Sequence, residues 1–199
     1  DEGALDTVDG PTVTKRQTST ADTYQLGTSD MLQFLGNLYA TGQGRIAQLA
    51  GTDLTTIDSS WWTGLRSNYR HPMEIVEGTL YIADQYEIHT WNGTTSTAAA
   101  ITLPTDVNVT SLRKHPNGRD LLAFCGTTAN FSHTKGAGGK IYVIDTVLKD
   151  WTREIEVEAQ VEGSRNVGGI IYVTYGMTVG YFNGDGIKFL KKLRTSTTT

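Results

Sequence analysis

Residues 78–93 read GTLYIADQYEIHTWNG. Leu80 and Ile82 alternate with Tyr81 and Ala83, the period of two expected of a strand. Asp84-Gln85-Tyr86 forms a short corner, and Ile88 and Trp91 lie on a second strand beyond it. The same phrase occurs twice more in register, as GNLYATGQGRIAQLAG over 36–51 and GIIYVTYGMTVGYFNG over 169–184. In all three copies Leu or Ile stands two residues after the first Gly and is followed by Tyr (Tyr39, Tyr81, Tyr172). An aliphatic residue holds the eleventh place (Ile46, Ile88, Val179) and a large apolar one the fourteenth (Leu49, Trp91, Phe182). Gly closes the phrase at the sixteenth. The copies begin at 36, 78 and 169, offsets of 42 and 91.

An offset of 91 is two periods. Self-similarity at ~40–50 residues, with strands alone inside the unit, is the signature of a β-propeller blade. The expected fold is therefore all-β, with about four blades of four strands spanning 29–58, 72–103, 109–157 and 161–194. The third blade lacks the short corner and carries Gly126–Gly139, GTTANFSHTKGAGG, in its place. This segment, rich in Gly and Thr, is expected to be an exposed loop. Residues 1–23, rich in Asp, Thr, Ser and Gly, read as a linker or an arm lying on a neighbour, and residues 195–199 as a polar tail. The chain starts at Asp1 without methionine and four blades is a small ring, so a piece of a larger ring is the expectation.

Composition narrows the function classes. Of 199 residues 38% are apolar and 19% charged, and the formal net charge of −4 argues against a nucleic-acid surface built on bulk charge. No apolar run approaches the ~20 residues of a membrane-spanning helix, so no membrane insertion is expected. Cys125, the single cysteine, excludes an internal disulfide and sits in the apolar run Leu121–Cys125, where it reads as a small buried hydrophobe. No nucleophile elbow, zincin helix or Cys-x-x-Cys pair occurs. No cofactor and no catalytic residue are expected.

Residues 78–93 resemble the NHL-type repeat, in which a Gly-x-Leu-Tyr-Val-Ala-Asp strand meets a short corner. HPNGRDLLAF, 115–124, resembles the turn between the first two strands of YVTN- and WD-like blades, and KIYVIDTVLKDW, 140–151, is similar to kelch repeats. The resemblance covers about 165 of the 199 residues and implies a propeller without choosing one of these families. It departs from the NHL pattern at the corner arginine, which is present as Arg45 but replaced by Glu87 and Thr178. Hemopexin-like four-bladed rings are closed by a disulfide, which this chain cannot make.

In a propeller, the loops between second and third strands share a face with the connections that enter the next blade. Binding sites favour that face. It is expected to present Trp61, Trp62, Arg66, Tyr69, Arg70 and His71 from the long connection 59–71. Asp84 and Tyr86 from the hairpin corner, His133 and Lys135 from the insertion, and Tyr175 join them. Trp, Tyr and Arg are typical interface anchors. The turns at Asn92-Gly93, Asn117-Gly118 and Asn183-Gly184 fall on the opposite face as architecture. Asp84 with Asp106 and Glu158 offers oxygen ligands for Ca²⁺, but its counterparts in the other copies are Gly42 and Tyr175, so a solvated turn aspartate is expected and no metal.

Three functions compete. A non-catalytic module making protein contacts within a larger assembly fits best, and the Thr/Gly/Asn-rich, cysteine-poor composition is similar to that of virion and phage-tail structural proteins. A carbohydrate- or receptor-binding propeller would stack sugar on Trp61, Trp62, Tyr86 and Tyr175. A metal-dependent hydrolase or lactonase would act at the channel mouth. Other subunits of an assembly are the expected partners, with glycan as the alternative. Virion, extracellular and cytoplasmic locations stay open.

Overall fold

A computed structural model describes residues 6–9, 12–15, 28–42, 45–50, 53–56, 65–66, 69–127, 138–158, 160–175 and 178–190. Within the segment read as an arm, β1 (Asp6–Asp9) and β2 (Thr12–Lys15) pair antiparallel, so the arm is not irregular throughout. Four four-stranded antiparallel sheets follow and form a four-bladed β-propeller. Blade one is β3 (Thr28–Phe34), β4 (Asn37–Gly42), β5 (Arg45–Ala50) and β6 (Asp53–Thr56). Blade two is β7 (Met73–Val76), β8 (Thr79–Asp84), β9 (Glu87–Trp91) and β10 (Ser96–Thr102). Blade three is β11 (Val107–Lys114), β12 (Leu121–Thr127), β13 (Gly139–Asp145) and β14 (Asp150–Val157). Blade four is β15 (Gly163–Val167), β16 (Ile170–Tyr175), β17 (Thr178–Phe182) and β18 (Ile187–Phe189). Each sheet is a meander in chain order, and the first strands β3, β7, β11 and β15 are successive neighbours. Most of the Gly126–Gly139 insertion lies outside the described residues.

The repeated glycines now have their reason. The turn from first to second strand places both central residues in the left-handed region: Leu35 and Gly36 at φ 49° and 81°, Glu77 and Gly78 at 48° and 72°, Gly168 and Gly169 at 60° and 84°. This is a type I′ hairpin, whose twist matches that of the strands. The glycine that opens the phrase is the second residue of that turn. At the same end of the blades, Asn92 Oδ1 accepts from the amides of Thr94 and Thr95, and Asn183 Oδ1 from those of Asp185 and Gly186. Asn117 Oδ1 does the same with Arg119 and Asp120. These side chains build Asx turns, as expected of architectural corners.

The core lies between blades. Phe34, Tyr39 and Ile46 of blade one meet Met73, Leu80, Ile82 and Trp91 of blade two. The other face of blade two, with Val76, Tyr81, Ala83 and Ile88, packs on Val107, Val109, Leu121, Ala123 and Tyr142 of blade three. Leu122, Phe124, Ile141 and Val143 of blade three then meet Ile171, Val173 and Phe182 of blade four. Cys125 is buried in the second of these layers, as the sequence suggested. Polar ties repeat with the packing. Thr41 donates its hydroxyl to the His71 carbonyl and Thr110 to that of Val161, each on the segment entering the next blade.

The register places Tyr39, Tyr81 and Tyr172 on equivalent faces. Tyr39 points at blade two, where Trp91 Nε1 donates to its hydroxyl at 3.3 Å. Tyr81 points at blade three and hydrogen-bonds Thr146. Tyr172 lies on the face of β16 opposite Ile171 and Val173, the two residues that meet blade three.

Because each layer is shared by two sheets, deleting one buried side chain weakens both. Leu80→Ala, at a fully buried position, is expected to cost roughly 2–5 kcal/mol. Leu148→Ala, at a position 69% exposed, is expected to stay within about 0.5 kcal/mol. Urea denaturation followed by tryptophan fluorescence compares them, and equal effects would contradict this core.

Candidate functional site

Four of the residues that sequence reasoning gathers on one face, Arg66, His71, Asp84 and Tyr86, meet at one corner of blade two. Leu65 is buried in the layer between blades one and two and anchors the connection. The next residue therefore lands at the corner of β8 and β9. There the Arg66 amide donates to Asp84 Oδ1 at 3.0 Å, and Nη1 donates to the Asp84 carbonyl at 3.0 Å, Asp84 Oδ2 at 3.1 Å and Glu87 Oε2 at 3.1 Å. Nη2 reaches the Tyr86 hydroxyl at 3.4 Å, and the guanidinium lies 4.9 Å from the centre of that ring. One planar cation thus holds the whole corner, a geometry for which a guanidinium is suited and an ammonium is not.

Asp84 is not the solvated turn aspartate that its lack of counterparts suggested. It is 4% exposed and is neutralised by Arg66. His71 lies beside it, fully buried, with Nδ1 3.1 Å from the Ala83 carbonyl and 3.5 Å from Asp84 Oδ1. A carbonyl only accepts, so Nδ1 carries the proton. His89 has the opposite tautomer, because its Nδ1 accepts from the Ala99 amide at 2.9 Å. That bond holds an irregular turn of the outer strand β10, where the register shifts between Thr97 and Ile101 and Ala99 has φ 45°. Burial pushes both histidines below the usual imidazole value.

Among the described residues, Asp84, Glu87 and His89 bring ligand-type atoms within 4.8 Å of one another. Asp106 and Glu158, the acids that sequence reasoning paired with Asp84, are exposed and belong to no such group. Glu87 and His89 were missed. Their signal is the i, i+2 spacing that places them on one face of β9, with Glu87 paired to Asp84 across the hairpin. A cation here would compete with Arg66, which already bonds both carboxylates.

Arg70 extends from the same connection and donates to the Glu162 carbonyl, at the entry to blade four, at 2.7 Å. Tyr69 is half-buried, and its amide closes back on the Arg66 carbonyl. Trp61, Trp62, His133 and Lys135 lie outside the described residues. Tyr175 ends β16, and its side chain is likewise outside them.

No protein-family profile matches the chain, and no curated protein resembles it in sequence. Its likenesses are structural. It is similar to BBS1N, solved in complex with ARL6, with a TM-score of 0.52 and 12% identity over 80% of this chain and 54% of that one. It is similar to the extracellular domain of the two-component system BT4673 of B. thetaiotaomicron, with a TM-score of 0.54 and 10% identity over 95% and 30%. Kuenenia stuttgartiensis hydrazine synthase gives 0.53 and 9% over 87% and 52%. The chain spans about half the length of these structures or less. They include an enzyme and a protein bound to a partner, so the likeness shows the propeller and leaves the activity open.

Two outcomes follow from this geometry. Arg66→Ala leaves Asp84 buried without its cation and is expected to lower stability by roughly 1–3 kcal/mol, a loss that the second change Asp84→Asn partly restores in a urea double-mutant cycle. Non-additivity is the diagnostic, and strict additivity would mean that the pair does not act together.

The second outcome is a pH dependence. Above about pH 6.5 the imidazoles are neutral folded and unfolded, and their contribution is complete. As pH falls below that value the unfolded chain binds protons that the buried rings resist, so stability falls until the folded values are passed. Asp30 and Glu74, whose carboxyls burial raises, act in the opposite sense and gain as pH falls. His89→Asn keeps an acceptor near the Nδ1 position but removes the titration. The Tm of this variant is expected to fall less between pH 7 and 5 than that of the parent protein, and identical profiles would remove His89 from the account.

Proposed function

We propose that this protein is a non-catalytic propeller module that makes protein contacts within a larger assembly, with the connection 59–71 as its contact loop. The observation that carries the reading is the use to which the face puts its own polar groups. Arg66 is bonded to Asp84 and Glu87, His71 to the Ala83 carbonyl and Arg70 to the Glu162 carbonyl. Groups committed in this way make a rigid platform rather than an acid–base pair poised for chemistry. Such a platform suits a loop whose Trp61 and Trp62 are of the residue type that anchors interfaces. BBS1N supports the reading as a propeller solved with a protein partner. Within this class, a virion or phage-tail component accords with the composition.

The Asp84–Glu87–His89 grouping favours a second reading, a metal-dependent hydrolase. Calorimetric titration separates the two. The protein is expected to give no saturable heat with Zn²⁺ or Ca²⁺, and saturable binding abolished by His89→Ala would move the assignment to the hydrolase. For the contact loop, the double change Trp61→Ala, Trp62→Ala is expected to abolish co-sedimentation with the native assembly while the melt measured by circular dichroism stays in place. A melt lowered by several degrees would make the tryptophans core residues and withdraw the interface.

A further inference from the structure

The outer strands of the four blades are their exposed edges, and they are unlike one another. β6 has four residues and β18 three. β10 is broken by the register shift between Thr97 and Ile101. β14 has eight residues and pairs without interruption with β13 from Val143↔Arg153 to Gly139↔Val157. It is the last strand of its sheet, and its residues 150–154 and 156 are exposed. The free edge of such a strand presents a row of N–H and C=O groups, a template on which a further strand can pair.

The charges decide which strand fits. The register puts Glu154 opposite Tyr142 and Glu156 opposite Lys140, so both acids stand on the face that carries Tyr142. Glu158, also exposed, follows directly. Lys140 Nζ lies 2.9 Å from Glu154 Oε1, and among the described residues no ion pair reaches Glu156 or Glu158. Arg153 projects from the opposite face of the strand and pairs with Asp185 of blade four at 3.1 Å. Beneath the acids Tyr142 is fully buried, and its hydroxyl has no hydrogen-bond partner among the described residues. Trp151 packs edge-on against that ring at 5.4 Å and is itself 38% exposed. An ammonium arriving at Glu154 has donors enough for the carboxylate and the phenol oxygen together. The indole beside it can receive the aliphatic stem of the same side chain.

We propose that the free edge of β14 is a docking site for an extended, basic segment of a partner protein, which adds to blade three as a further strand. Main-chain bonds along the edge supply affinity, and alternate side chains supply specificity. Lysine or arginine at every second position sets a cation beside Glu154 and Glu156, where opposite charges stabilise a strand pair and like charges oppose it. The same rule disfavours a second copy of β14, which would set these acids against each other, so the edge is guarded against self-pairing and open to a basic strand. The site lies on the rim of blade three and uses none of the connection 59–71, so failure of either contact leaves the other standing.

Fluorescence anisotropy of a labelled peptide with the 199-residue chain tests this. The peptide matches β14 in length and alternates lysine with threonine. It is expected to bind saturably at low salt, and Glu154→Gln with Glu156→Gln is expected to weaken it roughly fivefold. Glu77→Gln, on the β7–β8 turn of blade two, is expected to leave the affinity unchanged. A peptide of the same composition with its lysines in one block is expected to bind more weakly. Should the glutamine variants melt early by circular dichroism, two further peptides carry the test on the parent chain. Only every second N–H of an added strand faces its neighbour. N-methylation of one set, the lysines or the threonines, is therefore expected to abolish binding, and methylation of the other to leave it. Absence of saturation overturns the proposal. Equal affinity for the block and alternating peptides, indifference to loss of the two acids, or binding that survives methylation of either set would each overturn it as well, and reduce the acids to a solvated rim.

Discussion

Everything in this molecule depends on sheets that are apolar on both faces. A half-solvated antiparallel sheet alternates apolar and polar residues, but the inner strands here are sandwiched between neighbouring blades and cannot. In β8, Leu80 and Ile82 serve the layer toward blade one while Tyr81 and Ala83 serve the layer toward blade three. A single blade therefore has no core of its own. Its stability is a property of its two neighbours, in the nearest-neighbour manner of repeat proteins.

At the Arg66 cluster this regularity is modified by something unrepeated. The tenth position of the repeat is Arg45 in blade one, Glu87 in blade two and Thr178 in blade four. In blade two the acid replaces the cation, and the cation returns from the connecting segment. The exchange couples a long surface connection to a buried corner, so the order of its anchor and the integrity of blade two are one thermodynamic quantity. The tautomers of His71 and His89 are set by their backbone partners, one donating to the Ala83 carbonyl and the other accepting from the Ala99 amide of the outer strand.

The repeat was legible because its constraints are local. A type I′ turn needs its glycine, an Asx turn its asparagine, and a strand its alternation, and each leaves a residue at a fixed place in the phrase. What could not be read was burial decided at a distance. Asp84 is a corner residue by every local sign, and only a guanidinium arriving from 18 residues earlier makes it a buried ion. The β1–β2 pairing was hidden too, because Thr-, Asp- and Gly-rich segments carry no apolar period from which to read a strand.

The bond from Arg70 to the Glu162 carbonyl has a geometric meaning that goes beyond its modest energy. Blades in an arc are sides of a polygon, and the angle between sides decides how many complete the figure. Side-by-side packing sets that angle only as well as a deformable layer of aliphatic groups allows. Arg70 and Glu162 lie on the entries to blades two and four, the sides that flank blade three. Their bond spans blade three and resists opening of the angles on either side of it without adding to the layers themselves. Part of what holds those angles is thus a single surface side chain and not the layers alone.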